Sequence, residues 1–117
     1  LIRAVKHPAV DILGHPSGRQ INARSGLELD MEAIATAAAD AGTALEINSN
    51  PVRLDLNAEY VRTAIEADAT IAINTDAHGP DALSYIRYGV HTGRRGWCTP
   101  SDVLNTFSVE ALFEFLH

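Results

Sequence analysis

Three short apolar runs, Val10–Gly14, Thr43–Asn48 and Thr70–Asn74, alternate with segments whose apolar residues recur at helical spacing, which leaves few architectures open. Each run has the length of a buried strand rather than of a helix. After the first run, Ser17 to Leu29 carries glycine, serine and two arginines and reads as a loop. Asp30 is then a natural N-cap for a helix with Met31, Ile34, Ala35 and Ala38 on one face, and Gly42 suits its C-terminal turn. Asn57 caps a second helix, with Val61, Ala64 and Ile65 on its inner face, and a third is expected from about Asp81 to Gly89. Thr99-Pro100-Ser101-Asp102 resembles a capping box with proline at the first helical position. Ser108 caps a last helix carrying Leu112, Phe113, Phe115 and Leu116. Strand–helix alternation of this kind predicts βαβ units, an α/β fold with parallel strands and outer helices. An α/β barrel and a doubly wound sheet both satisfy it, although three parallel strands alone cannot close a barrel.

The 117 residues have room for one domain. Forty-six per cent are apolar, enough for a core, and the alanine-rich helices should pack closely. No apolar run approaches the ~20 residues needed to span a membrane, and Leu1–Lys6 has no apolar stretch behind it that would make a signal peptide. One cysteine, Cys98, excludes an internal disulfide and any cysteine-based zinc cluster, and the cytoplasm is the expected location. Cys98 itself reads as a small core residue. The net charge of −6 argues against a general nucleic-acid-binding surface. It is compatible with a nuclease whose metal ions supply the local positive charge. The chain begins at Leu1, and Leu1–Lys6 reads like the end of a helix, so a larger parent is expected.

Sites in parallel α/β folds form at the carboxyl ends of the strands. The first run ends at His15, the second at Glu46, Asn48 and Asn50, and the third at Asp76 and His78, so one rim receives all of them. The i, i+2 spacing of Asp76 and His78 puts both on one side of extended backbone. A carboxylate and an imidazole so placed suit a hydrolytic divalent metal such as Zn²⁺ or Mn²⁺. His15 would complete three protein ligands, and a bound metal would lower the pKa of its water towards ~7 and clamp a phosphoryl oxygen. The plainer alternative has Asp76 capping the next turn and both histidines as ordinary loop residues.

A charge within an apolar strand needs a partner when buried, and for Glu46 orienting a ligand or a loop backbone fits better than direct ligation. Asn48 and Asn50 suit local Asx bonds, with substrate contact the lesser reading. Arg19 and Arg53 stand just beyond strand ends, where they would grip a phosphate or pair with Asp55 or Glu28. His7, His91 and His117 read as structural, surface and terminal residues respectively. Arg94 and Arg95 beside Trp97 could meet a nucleic-acid backbone, but two basic residues do not make a patch.

Gly14-His15-Pro16-Ser17-Gly18-Arg19, Ala44-Leu45-Glu46-Ile47-Asn48-Ser49-Asn50, Arg53-Leu54-Asp55-Leu56, Asn74-Thr75-Asp76-Ala77-His78 and Arg94-Arg95-Gly96-Trp97 occur in that order. Together they resemble the C-terminal part of the PHP (polymerase and histidinol phosphatase) domain of bacterial family-X DNA polymerases, over nearly the whole chain. The resemblance implies the last three βα units of a distorted (β/α)7 barrel, with up to three Mn²⁺ or Zn²⁺ ions at the strand ends. It further implies a phosphoesterase, chiefly a 3′–5′ exonuclease in DNA repair, acting on DNA with polymerase domains in cis. By motif, His15 matches the histidine ligand after the fifth strand, and Asp76 and His78 match the final Asp-x-His pair.

The resemblance also implies further ligands, from a His-x-His motif in the first strand and from intervening glutamate and histidine residues, that would lie before Leu1. Residues 1–117 are therefore read as a partial PHP domain, expected to bind metal weakly and to show little nuclease activity alone. Two alternatives stand beside the nuclease reading. One is a non-catalytic PHP module that supports the polymerase; the other is a stand-alone small-molecule phosphatase of the same superfamily. Open sheet edges also predict self-association.

Overall fold

The alternation of runs folds as a three-stranded, all-parallel sheet in the order β1-β2-β3, in a computed structural model that describes residues Leu1–His117. The strands are β1 (Ile12–Leu13), β2 (Ala44–Asn48) and β3 (Ile71–Asn74). The helices are α1 (Ile2–Val5), α2 (Met31–Ala41), α3 (Ala58–Glu66), α4 (Ile86–Arg95) and α5 (Val109–Phe115). Ile12 and Leu13 lie opposite Ala44 and Leu45, and Leu45 to Asn48 lie opposite Ile71 to Asn74. No helix is long and apolar enough to cross a membrane.

The two-residue period of a strand sorts the side chains onto two unlike faces. Leu45, Ile47, Ile71 and Ile73 point to one side and join a core with Val5, Met31, Ile34, Ala35, Ala38, Val61 and Ala64. Full burial of such a side chain contributes roughly 1.5–3 kcal/mol. The alternate residues, Ala44, Glu46, Asn48, Ala72 and Asn74, are small or polar. On that side Ala44 and Ala72 pack against Leu104, Phe107, Leu112 and Phe115 from the C-terminal segment. A sheet covered by helices on both faces reads as continuously apolar strands; here polarity collects on one face, near the carboxyl end.

Local capping sets the ends of the helices. The Asp30 side chain accepts a hydrogen bond from Ala33 N–H at 3.2 Å, and Gly42 closes α2 in the left-handed region at φ 68°. Asn57 accepts from Tyr60 N–H at 2.8 Å to start α3, and Ser108 accepts from Ala111 N–H at 3.1 Å to start α5. Small residues let α2 approach closely, with Ala35, Ala37 and Ala38 all buried.

Three expectations shift. β1 spans only Ile12–Leu13, because the chain turns away at Gly14. The helix expected from Asp81 to Gly89 is a 3-10 segment, Pro80–Tyr85, followed by α4, which runs through Gly89 and Gly93 to Arg95. Gly89 is a point of close approach rather than a stop: a Cβ there would lie 2.0 Å from Ser49 Oγ and 2.6 Å from Ile73 Cγ2. The capping box at Thr99 is formed, but it opens only a 3-10 turn, Pro100–Asp102.

The sheet edges also differ from one another. The Asn105 side chain accepts from Ile73 N–H and donates to Ile73 C=O, both at 2.8 Å, and Val103 bridges to Ile71. Asn105 thus takes the place of a strand beside β3, while the β1 side carries no such clasp.

Candidate functional site

The carboxyl ends of β2 and β3 are tied together by their own polar side chains. Glu46 is 8% exposed; its Oε1 accepts from Asn74 Nδ2 at 3.0 Å and its Oε2 accepts from His15 N–H at 2.6 Å. One carboxylate therefore bridges the ends of all three strands and holds the backbone of His15. Asn48, 1% exposed, donates from Nδ2 to Asp76 Oδ2 at 3.2 Å, and its Oδ1 accepts from Asn50 N–H at 3.1 Å. Asn48 thus fixes the loop after its own strand and the carboxylate after the next one.

His15 stands two residues beyond β1, and Asp76 two residues beyond β3. Both adopt positive φ, 27° and 54° respectively. Side chains other than glycine avoid this region, and holding them there costs on the order of 1–3 kcal/mol each. The bonds just described hold both segments in place. Asp76 is exposed and receives Arg53 Nε at 4.0 Å from Oδ2 and His78 Nδ1 at 3.9 Å from Oδ1. His78 Nδ1 also lies 2.7 Å from Asp76 O, and its ring is exposed, leaving Nε2 directed to solvent.

In donor type these groups, two imidazoles and a carboxylate, fit a divalent cation. The structure sets them on one rim but arranges no group of three His, Cys, Asp or Glu side chains so as to hold a metal ion.

The two rim arginines behave differently. Arg19 donates from Nε to Arg53 O at 2.6 Å and from Nη2 to Leu54 O, so its fork is engaged with main-chain carbonyls. Arg53 donates from Nη1 to Arg19 O at 3.3 Å and turns Nε towards Asp76. Neither guanidinium pairs with Asp55 or Glu28.

Asp55 is instead a fully buried carboxylate that accepts from the N–H groups of Ser17 and Gly18 at 3.0 and 2.9 Å. Its role was invisible in the sequence, because its partners are 38 and 37 residues away; the only local signal is a charge set between Leu54 and Leu56.

The remaining histidines lie elsewhere. His7 Nδ1 accepts from Ala9 N–H at 3.1 Å, His91 is exposed on α4, and His117 Nδ1 sits 3.2 Å from Asp11 Oδ1, pinning the C-terminus below β1. Trp97 is 65% exposed, with the Arg62 guanidinium 3.8 Å from the ring centroid. It follows the C-terminal end of α4.

Cys98 is half-buried, and burial first, with Asp102 second, pushes its thiol up to about 11. The thiolate is the reactive form. Against an ordinary thiol at 9.0, this Cys98 value means roughly a hundredfold less thiolate at pH 8. Because a more basic thiolate is also the better nucleophile, alkylation of the folded chain by iodoacetamide at pH 8 should be slower than that of the urea-unfolded chain by roughly tenfold or more.

The fold and rim define an α/β protein of the class that gathers its polar groups at the carboxyl ends of parallel strands. No family model matches the chain. It is 42% identical over 113 residues to the DNA polymerase/3'-5' exonuclease PolX of Bacillus subtilis (strain 168), covering 97% of this chain and 20% of that protein. It is 32% identical over 84 residues to the Probable phosphatase Shewana3_2794 of Shewanella sp. (strain ANA-3), covering 67% of this chain and 31% of that protein. A counterpart in Shewanella sp. (strain MR-4) matches to the same extent. The chain thus spans less than a third of the length of each of these relatives.

Over 97% of its length the chain is thus related to part of a family-X DNA polymerase/3'-5' exonuclease, and the phosphatase relatives support the PHP-type relationship that its motifs imply.

Proposed function

We propose that this chain is the C-terminal part of the PHP barrel of a family-X polymerase, and that its rim is one part of a metal-dependent phosphoesterase site acting as a 3′–5′ exonuclease. The observation that carries the reading is the convergence at the rim: Glu46, Asn48 and Asn74 hold together the segments that present His15, Asp76 and His78. The family relationship supports it, since PolX is named as a DNA polymerase/3'-5' exonuclease and the other relatives as probable phosphatases.

On this proposal His15, Asp76 and His78 hold Mn²⁺ or Zn²⁺ together with ligands from the rest of a longer protein. A divalent ion at this place supplies Lewis-acid polarisation of a phosphoryl oxygen. Arg53, whose Nε already faces Asp76, supplies positive charge beside the scissile phosphate. Arg19 acts by fixing the Arg53 backbone. Asn48 keeps the Asp76 carboxylate from turning away.

The unlike faces of the sheet support the barrel. α2 and α3 cover the side of Leu45, Ile47, Ile71 and Ile73, whereas on the other side the C-terminal segment with α5 packs on Ala44 and Ala72, so Glu46, Asn48 and Asn74 are assigned to the barrel interior. Further strands add on the β1 side, which carries no clasp. At β3 the Asn105 clasp occupies the N–H and C=O of Ile73.

The test is digestion of a 3′-labelled single-stranded oligonucleotide by the longer protein carrying this chain. Activity that disappears with EDTA and returns with Mn²⁺ is expected. Full activity in EDTA would refute metal dependence, and inactivity under all conditions would favour the non-catalytic module.

A further inference from the structure

We infer that Asp55 and Arg19 are positioning residues that fix the His15 loop against the loop after β2, so that His15 and Asp76 are held by one connected frame. The inference rests on the proposed role of His15 and Asp76. Asp55 is fully buried with no cation at salt-bridge distance. An unpaired buried charge is expensive unless hydrogen bonds compensate it. The compensation comes entirely from main-chain N–H groups of Ser17 and Gly18, the second and third residues after His15.

The frame has further cross-links. Arg19 binds Arg53 O and Leu54 O, Arg53 returns a bond to Arg19 O, and Ile21 N–H donates to Val52 O at 2.6 Å. The same loop reaches the other candidate ligand, because Asn48 pairs with Asp55 across the backbone and bonds Asp76, and Arg53 Nε approaches Asp76. His15 is thereby connected to Asp76 through Ser17, Asp55 and Asn48. A carboxylate that oriented only its own loop would need none of these links.

The test uses the 117-residue chain, comparing Asp55→Asn with Val61→Ala, a core truncation on α3, at denaturant concentrations that equalise global stability. In the Asn variant the carboxylate charge is lost, and even with the amide oxygen at the Oδ2 place the NH₂ group meets Ser17 N–H donor to donor where Oδ1 now accepts. Amide hydrogen exchange at Ser17 and Gly18 is expected to speed up at least tenfold in Asp55→Asn and to stay unchanged in Val61→Ala. Mn²⁺ affinity, followed by line broadening, should fall roughly tenfold or more in Asp55→Asn alone, as for other groups that orient ligands.

Equal exchange in the two variants, or unchanged exchange in Asp55→Asn, overturns the inference. If the unsubstituted chain binds no Mn²⁺, the metal reading of this chain fails, while the exchange comparison still decides whether Asp55 holds the loop. Should Asp55→Asn not fold, Arg19→Lys, which keeps the charge and loses the fork, must raise exchange at Ser17 and Gly18 or the inference falls.

Discussion

Replacing Asp76 by Asn in a longer protein that carries this chain is expected to reduce phosphoester hydrolysis on the order of a hundredfold or more, with the fold unchanged. Substituting groups that merely orient a ligand typically costs 10–100-fold in metal affinity or activity, so loss of the ligand charge should reach at least the upper end. Stability should change little, because Asp76 is exposed and an asparagine can still accept the bond from Asn48 Nδ2. The measurement is turnover of a 3′-labelled oligonucleotide, with circular dichroism melting as the folding control. Unaltered turnover by a folded variant would return the PHP domain to a supporting role.

Gly89→Val should destabilise the chain by about 3 kcal/mol, at the upper end of what overpacked cores show. The first carbon of the new side chain would collide with Ser49 Oγ and Ile73 Cγ2, and the branched remainder has no space between α4 and the sheet. The adjacent Ser49 is fully buried and its Oγ has no hydrogen-bond partner, so it gains nothing by moving deeper. Because Ser49 follows Asn48, displacement of α4 should also loosen the Asn48–Asp76 bond. Urea unfolding measures the first effect, and the Asn48 Nδ2 resonances report the second. A loss below about 1 kcal/mol would show that α4 is free to shift outwards.

These two residues also mark what could be read from sequence. The caps at Asp30, Asn57 and Ser108 were legible because a cap acts three residues along the chain. The ends of the runs placed His15, Asp76 and the Glu46–Asn48 pair at one rim because strand direction alone decides that. Gly89 was misread as a stop: its reason for being glycine is a serine and an isoleucine brought in by folding, not a local turn. Asp55 and Asn105 were missed on the same ground, since each satisfies backbone groups more than thirty residues away. Arg19 could be read as a phosphate ligand or as a salt-bridge partner of Asp55 or Glu28, because a strand end and an arginine are all that a sequence displays. The carbonyls that occupy its fork come from another loop. Short-range chemistry was visible, and the reciprocal locking of two loops was not.

The central claim is that His15, Asp76 and His78 form part of one divalent-metal site. Paramagnetic broadening by substoichiometric Mn²⁺, read residue by residue in the amide spectrum of the 117-residue chain, tests it most directly and remains sensitive to weak binding. Broadening centred on residues 15–17 and 75–79 is expected, and it should vanish when His15, Asp76 and His78 are all changed to alanine. Broadening that persists in that variant, or that centres on acidic surface residues such as Asp30 and Asp40, would contradict it.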